Sequence, residues 1–593
     1  MLPPGHRPLM LGNHSELIFM PADQLLFVLL SCAGFMLAVA WFAYQRSKET
    51  TGNADGYFLA GRGLSVPFIA GSLLLTNLSA EQLIGLNGSA YGFNMSAMGW
   101  EVTAAVATIA MAFFFLPRYL RGAFTTLPQF LADRFDDDVR RISVILFLLG
   151  YGLVTIPSVL YSGSVAVLKI FDVPALTGWG YVGSLWFTVS VITIVGSLYA
   201  VLGGLKAVAV SDTLNGIGLL IIGITVPVLG LQLLGSGDFA EGLSTLTHSH
   251  QEKLNAIGAA NDPTPFGTLF TGMVFANLFY WCSNQYVIQR TLAAKTLAAG
   301  QQGVLLSGFF KVLVPFFMMI PGVIAYHLYG PNLASIDLAY PQLARDTLPL
   351  WAMGFFLAVL LGAVFSSFNS LINSAATMFT LDVIQPMRRT KLSELQLVRT
   401  ARWVSIGVAA MSLGIAPLLQ FAPEGLWQII RIFTGFYNIP IIAVVLIGML
   451  TSWVPARAVK LAIGFHIVAY GLMQFVFQSL IDIHFLHLYA ILFVIEITLM
   501  LTIGWLYPGQ ARTASPDKVE IDMTPWPHAI ACSTTLFSCV IALYALFSPI
   551  GLAGSSGSSI SWLMIGLIAV NLGTWFYSKK QSSMAPFRAR AGQ

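Results

Sequence analysis

The chain has 593 residues, of which 56% are hydrophobic and only 9% are charged, whereas soluble domains carry roughly 25% charged residues. With a mean hydropathy of +0.76, this composition excludes a soluble globular protein and predicts a polytopic protein of the lipid bilayer. The net charge of +4 does not indicate a nucleic-acid partner, because charges in such proteins first set the membrane topology.

Apolar runs of about 20 residues, the length that crosses a bilayer, predict about fifteen transmembrane helices. Most of the 30 Lys and Arg residues then fall in loops on one side, which is the pattern of the positive-inside rule. This bias predicts an outside N-terminus and a cytoplasmic C-terminus in the cell membrane. In chain order the predicted spans are 24–44, 64–91, 98–116, 142–171, 184–203, 213–234, 266–289, 303–329, 351–380, 404–421, 426–448, 461–480, 485–506, 529–547 and 560–577.

The second predicted span is apolar, but its middle carries polar side chains. Polar groups at membrane depth are costly unless they face a cavity or a partner, so they indicate a functional site. Interrupted helices also free backbone carbonyls, which bind cations in secondary transporters. We therefore predict a broken helix with a site at its middle. The polar residues are Thr76, Asn77, Ser79, Glu81 and Gln82.

The plan of this span recurs later in the chain. Residues 64–234 and 266–450 each contain five predicted spans, and each unit begins with a helix interrupted at an Asn-Leu pair, at Asn77 and at Asn277. An odd number of spans inverts the second unit, which gives an inverted repeat with the site between the two broken helices. The predicted units are an N-terminal segment 1–63, a first repeat 64–234, an outside loop 235–265 that is a lid or a solvated connector, a second repeat 266–450, additional transmembrane helices 451–577 and a cytoplasmic tail 578–593.

Motifs of other functions are missing from the sequence. There is no P-loop, no HExxH motif and no nucleophile elbow, which disfavours ATP-driven transport and a membrane enzyme. The four cysteines lie in apolar runs and form neither a disulfide framework nor a CxxC pair.

Four separated segments resemble the solute:sodium symporter family, in particular its sodium/sugar cotransporters. The resemblance extends from about residue 56 to about residue 450 and keeps the family order. It implies an all-α fold with a LeuT-like five-plus-five inverted-repeat core and extra flanking helices, and sodium as the co-transported ion. The segments are 71–91 (GSLLLTNLSAEQLIGLNGSAY), 203–212 (GGLKAVAVSD), 276–295 (ANLFYWCSNQYVIQRTLAAK) and 363–382 (AVFSSFNSLINSAATMFTLD).

The resemblance implies a sodium site made of neutral oxygens, which suit a hard cation. From the residues alone, the two serines could instead bond to their own helix and assist packing. A second site that some family members build with a third serine is not expected, because Ala occupies that position, 363. The implied ligands are the carbonyls of Leu75, Leu78 and Ala363 and the hydroxyls of Ser366 and Ser367.

The resemblance also assigns an ion-exit role to Asp212, for which the alternative is an N-cap of the following helix. It implies substrate contacts at Asn77, Gln82, Glu101, Asn277 and Lys311. A polyol requires such donors and acceptors beside aromatic rings. A structural ion pair between Glu101 and Lys311 is the alternative for those two residues.

Aromatic and apolar residues match the gates of the family. Tyr280 matches the ring that closes the site from inside, and Leu86, Trp100 and Trp427 match an outer hydrophobic gate. Packing or an interfacial position is the alternative for aromatic residues in spans.

Two pocket positions depart from the galactose-binding pattern: Arg431 stands where those members have Gln, and Ala104 where they have Ser. An arginine binds a carboxylate or sulfate bidentately, which would suit a sugar acid. The preferred interpretation is that Arg431 pairs with Glu101 or extends outward.

The sequence therefore predicts a sodium-coupled symporter, not an enzyme, that imports a sugar or sugar-like polyol by alternating access. The alternative is a symporter of an anionic sugar or another small organic solute. The sequence does not define the oligomeric state.

Overall fold

A computed structural model describes residues 22–48, 54–171, 173–333, 335–421, 426–477, 483–509, 521–554 and 558–591. Over these ranges the chain is helical, with one isolated bridge between Leu64 and Ala294 and no strand. The predicted all-α class is confirmed.

Twelve helices in the described ranges are long and apolar enough to cross a membrane, and one bent pair brings the number to 13. We label the spans α1 Asp23–Ser47, α2 Val66–Asn77 with Ala80–Gly92, α3 Met95–Arg121, α4 Asp137–Leu168, α5 Tyr181–Ser197, α6 Gly204–Leu234, α7 Gly272–Cys282 with Gln285–Leu292, α8 Leu297–Tyr329, α9 Leu350–Met387, α10 Glu394–Phe421, α11 Leu426–Leu450, α12 Ala456–Val476, α13 Phe485–Leu506, α14 Ala529–Leu546 and α15 Ile560–Lys580.

Each predicted span has a counterpart among these helices, but α5 and α7 are shorter than a full span. The start of α6 also differs, since it lies at Gly204 rather than at residue 213. Gly204 joins α5 to α6 with φ 58°, a left-handed conformation that glycine adopts without strain. A Cβ at this position would lie 2.9 Å from the carbonyl oxygen of Tyr57. The join is therefore a site where only glycine fits easily.

The break in α2 lies where the sequence predicts it. The first half ends at Asn77, and Leu78 leaves the helical conformation with φ −81° and ψ 79°. Ser79 then caps the second half, which meets the first at an angle of 59°. The Ser79 N–H donates to the carbonyl of Asn77 at 3.0 Å, whereas a continuous helix would direct it to Leu75.

The break in α7 is displaced from its predicted position. Asn277 lies inside the first helical half, and the interruption falls at Ser283 and Asn284. The N–H groups of both residues donate to the carbonyl of Phe279, each at 2.9 Å. The Asn-Leu pair therefore marks the broken helix but not the break.

The helices enclose the two broken ones. α1 and the first half of α2 pack against the kinked segment formed by α5 and α6, α9 packs against that segment and α1, and α3 packs against α7 and α8. In the most apolar part of α9, 89% of the residues are buried, whereas in that of α15 0% are buried. α9 thus lies at the centre of the molecule and α15 at its periphery.

The connection 235–265 is folded onto the core and contains the helix Phe239–His248. The Lys253 ammonium donates to the carbonyls of Tyr91 at 2.9 Å and Gly92 at 3.3 Å, at the end of α2. It also lies 3.9 Å from the ring centre of Tyr326, and burial lowers the pKa of Lys253. The segment is thus attached to the end of α2 through Lys253, while most of the helix Phe239–His248 is exposed; its role as a lid or a solvated connector stays a prediction.

Candidate functional site

A cavity of about 100 Å³ lies between the two broken helices. Its wall contains residues of α2, α3, α4, α7, α8, α9 and α11. Every residue predicted to bind substrate lines it, which brings together positions from five helices. These residues are Asn77, Gln82, Glu101, Asn277, Lys311 and Arg431.

The charged residues Glu101 and Lys311 form an ion pair in the cavity wall, through Oε2 and Nζ. Their side chains are 3% and 1% exposed. Burying one such charge without the other would be strongly unfavourable. The pair agrees with the structural alternative, yet its position in the wall also leaves it available to hydroxyl groups of a ligand.

Amide side chains supply further hydrogen-bonding groups. Asn77 Oδ1 and Gln82 Oε1 are buried and accept no hydrogen bond from the described residues. Asn277 Nδ2 donates to Thr103 Oγ1 at 2.8 Å. Buried polar atoms in native proteins are normally satisfied by protein, water or ligand. The two open acceptors therefore indicate a bound polar molecule or water.

Aromatic rings form one side of the cavity. The ring centre of Tyr280 lies 5.8 Å from that of Trp281 and 5.7 Å from that of Tyr286. Phe279 and Tyr437 also line the cavity, and their rings meet edge to face at 5.6 Å. Such rings give a rigid apolar surface beside the polar groups.

Arg431 and Trp100 separate this cavity from a second, larger one of about 710 Å³. The Arg431 guanidinium carbon lies 3.9 Å from the ring centre of Trp100. Both residues line both cavities, as do Glu81 and Ile430, whereas Leu86 lines only the larger one. The four shared residues thus form a constriction between the larger cavity, which we call the vestibule, and the inner cavity.

Glu101 forms an ion pair with Lys311, and the Arg431 guanidinium is stacked on Trp100; the pairing of Arg431 with Glu101 stays a prediction. Trp427 lies in the first turn of α11, but its side chain is outside the described residues.

The predicted sodium ligands lie where α2 packs against α9. Ser367 Oγ donates to the carbonyl of Thr76 at 3.5 Å. The buried Ser366 hydroxyl lies beside the Asp212 carboxyl. The break in α2 and these two hydroxyls provide neutral oxygens of the kind sodium prefers. The predicted ligands, all of them buried, are Leu75, Leu78, Ala363, Ser366 and Ser367.

Asp212 belongs to a buried polar network next to these ligands. It lies inside α6 rather than at its start, so the N-cap alternative is wrong. Its Oδ2 accepts from Ser72 Oγ at 2.7 Å, and Ser72 Oγ accepts from Arg290 Nε at 3.2 Å. Arg290 also donates to Ser370, whose hydroxyl is 3.2 Å from that of Thr76.

Sequence reasoning missed the role of Arg290. It follows the predicted span 266–289, and the positive-inside pattern assigned it to a loop, yet it lies in the second half of α7 and is 0% exposed. Its partners Ser72, Asp212 and Ser370 come from α2, α6 and α9. A guanidinium can be buried only with such partners, and hydropathy does not reveal them.

Comparison with known proteins gives a consistent result. The sodium:solute symporter family matches residues 57–458. The uncharacterized symporter YidK of Escherichia coli is 42% identical over 536 residues, which cover 90% of this chain and 92% of that protein. The sodium/glucose cotransporter of Vibrio parahaemolyticus is 29% identical over 436 residues, covering 70% and 78% of the two chains.

A solved structure shares the fold. A Na⁺-coupled sialic acid symporter in a substrate-bound outward-open state superposes with a TM-score of 0.71 at 18% identity, covering 82% of this chain and 99% of that one. This likeness supports the predicted LeuT-like core. The protein is a transporter rather than an enzyme, and sodium is its co-transported ion. The chain belongs to the sodium:solute symporter family.

Proposed function

We propose that this symporter imports a neutral sugar or sugar-like polyol together with sodium, by alternating access across the cell membrane. Residues 64–234 and 266–450 would form the inverted repeats, 451–577 additional helices and 578–593 a cytoplasmic tail, with the N-terminus outside. The composition of the cavity wall supports this substrate class, because amide acceptors and an ion pair lie opposite aromatic rings.

The polar groups of the wall suit a molecule with several hydroxyls. Asn77 Oδ1 and Gln82 Oε1 are open acceptors, and the Glu101–Lys311 pair offers a carboxylate acceptor and an ammonium donor. Each hydroxyl of a polyol both donates and accepts. The neighbouring rings of Tyr280 and Trp281 would contact the C–H faces of a sugar.

Charge supports a neutral substrate. The charged residues that line the cavity are Glu81, Glu101, Lys311 and Arg431, two acids and two bases whose formal charges cancel. A sodium ion crossing about 100 mV gains about 2.3 kcal/mol. An accompanying monoanion would cancel this gain, and Ala363 argues against a second sodium site.

The relatives support the same class. Among them are sodium/glucose cotransporters and the sodium/myo-inositol cotransporter of Mus musculus, which is 29% identical over 469 residues. The alternative, an anionic sugar or another small organic solute, is favoured by one observation, the position of Arg431 in the wall.

A thermal-shift screen of the purified protein tests the proposal. Neutral hexoses, inositols and sugar acids would each be added in sodium and in potassium buffer. We expect a neutral sugar or polyol to raise the melting temperature in sodium only. Stabilisation by sugar acids alone would favour the alternative, and stabilisation by no sugar of either class would reject a sugar substrate.

A further inference from the structure

A buried acid–base pair lies outside the cavity, in the helices that follow the second repeat. His466 is near the middle of α12 and Glu496 near the middle of α13, and both are 0% exposed. His466 Nδ1 contacts Glu496 Oε1 directly. Ionisable residues at membrane depth are costly and indicate a function by default. Neither residue contributes to the cavity or to the sodium ligands.

The pair belongs to a group of side chains that hold the backbone of α11. His466 Nε2 lies 3.0 Å from the carbonyl oxygen of Gly435. The Tyr470 hydroxyl donates to the carbonyl of Ile432 at 2.9 Å, and the Tyr489 hydroxyl donates to that of Arg431 at 2.6 Å. Positions 431, 432 and 435 lie on one side of a helix. Side chains of α12 and α13 therefore contact three backbone carbonyls of α11.

The contact with Gly435 fixes the position of one proton of the pair. A carbonyl only accepts, so Nε2 of His466 carries a proton. One further proton then lies between Nδ1 and the Glu496 carboxyl. Whether this proton is on Nδ1 or on the carboxyl, the pair has no net charge. The other titratable groups facing His466 are Tyr470, stacked at 5.5 Å, and Tyr489, which adjoins Tyr470 at 5.8 Å; the nearest charge on α11 is Arg431, beside Tyr489.

α11 has a weak point directly after these contacts. Pro440 lies inside the helix, and because proline has no N–H, the carbonyl of Phe436 lacks its helical donor. The turns before this weak point carry Arg431, Thr434 and Tyr437, which line the cavity. A small movement of these turns would displace the constriction over Trp100.

We propose that His466 and Glu496, with Tyr470 and Tyr489, are positioning residues that hold α11 in the orientation needed for substrate binding. The inference rests on the proposed function only in treating the cavity wall on α11 as substrate-binding. The sodium ligands lie on α2 and α9, so positioning of α11 acts on the substrate rather than on the ion.

Variants of Glu496 separate positioning from a general loss of folding. Glu496→Gln can donate its amide N–H to His466 Nδ1 and so keeps the contact with Gly435, whereas Glu496→Leu cannot. We expect Glu496→Leu and His466→Phe to raise the substrate KM about fivefold or more, with sodium half-saturation unchanged. Glu496→Gln should stay within about twofold of the unmodified protein. Leu492→Ala, at a buried apolar position of α13, is the matched control for packing.

A second measurement does not depend on the substrate. Thr434→Cys, in the cavity wall on α11, would be labelled with a membrane-impermeant maleimide, using the protein with its four native cysteines as background. We expect Glu496→Leu to change the labelling rate at least threefold and Glu496→Gln to leave it unchanged. If no sugar is taken up by any variant, the proposed function fails while this labelling still decides the role of the pair. Equal labelling in all three proteins, or equal effects of Glu496→Leu on sugar and sodium, would overturn the inference.

Discussion

The ion pair Glu101–Lys311 shows how one residue pair can serve both stability and binding. Lys311→Met leaves the buried Glu101 carboxylate unpaired, which should lower the free energy of unfolding by about 3–5 kcal/mol. Adding Glu101→Gln removes the stranded charge and should restore much of the stability. Thermal unfolding in detergent measures this effect.

The double variant also distinguishes the two interpretations of the pair. We expect it to fold but to bind sugar at least tenfold more weakly, since two groups of the cavity wall have changed. Full recovery of both stability and transport would show that the pair is structural only.

The amide side chains of the cavity make a more local prediction. Gln82→Ala and Asn277→Ala should each raise the KM for sugar about tenfold, because a lost buried hydrogen bond costs about 1–3 kcal/mol. Asn87→Ala is a suitable control, since Asn87 is buried on α2 and bonds to Leu83 of its own helix. Uptake assays in proteoliposomes give the KM values. Equal effects at all three positions would contradict a specific role of the cavity.

The Arg431 guanidinium stacks on Trp100, and Glu101 has Lys311 as its ion-pair partner. Arg431→Gln should therefore leave the melting temperature within a few degrees of the original and reduce neutral sugar uptake by no more than about fivefold. Competition by sugar acids is the informative measurement. Loss of sugar-acid binding, with neutral sugars unaffected, would favour the anionic substrate.

At the scale of the elements, the sodium site depends on the contact between broken α2 and α9. Ser366→Ala and Ser367→Ala each remove one oxygen and little volume, so the sodium concentration for half-maximal uptake should rise severalfold with nearly unchanged folding. Ser405→Ala is the control, because its buried hydroxyl bonds to Ala401 within α10. An unchanged sodium dependence in the double variant would exclude this site.

The elements themselves were largely predictable, because an apolar run of span length leaves few alternatives in a bilayer. The break of α2 could be placed because polar residues surround it. The break of α7 could not, since Asn277 continues in a helix, and the turn at Ser283 and Asn284 is held by distant side chains, the hydroxyls of Tyr119 and Tyr151.

Long-range partners explain what the sequence could not reveal. The burial of Arg290 depends on Ser72, Asp212 and Ser370, which lie far away in the chain. His466 and Glu496 are different, because polar residues in otherwise apolar spans are a readable signal. Their pairing with each other and with α11 still required the structure.

For the whole molecule, the decisive property is the charge moved in one transport cycle. The four charged residues that line the cavity cancel formally, and Ala363 argues for one sodium ion. A neutral sugar would then carry one positive charge inward per cycle. Each cycle gains about 2.3 kcal/mol from a potential of about 100 mV.

We therefore expect uptake into proteoliposomes to accelerate when a potassium diffusion gradient makes the interior negative, with one charge moved per sugar. Parallel measurements of radiolabelled sugar and of current on a solid-supported membrane give this ratio. A monoanion entering with one sodium ion would move no net charge. An uptake rate that does not depend on the imposed potential would thus contradict the neutral substrate and favour a sugar acid. A ratio of about two charges per sugar would require a second sodium site despite Ala363.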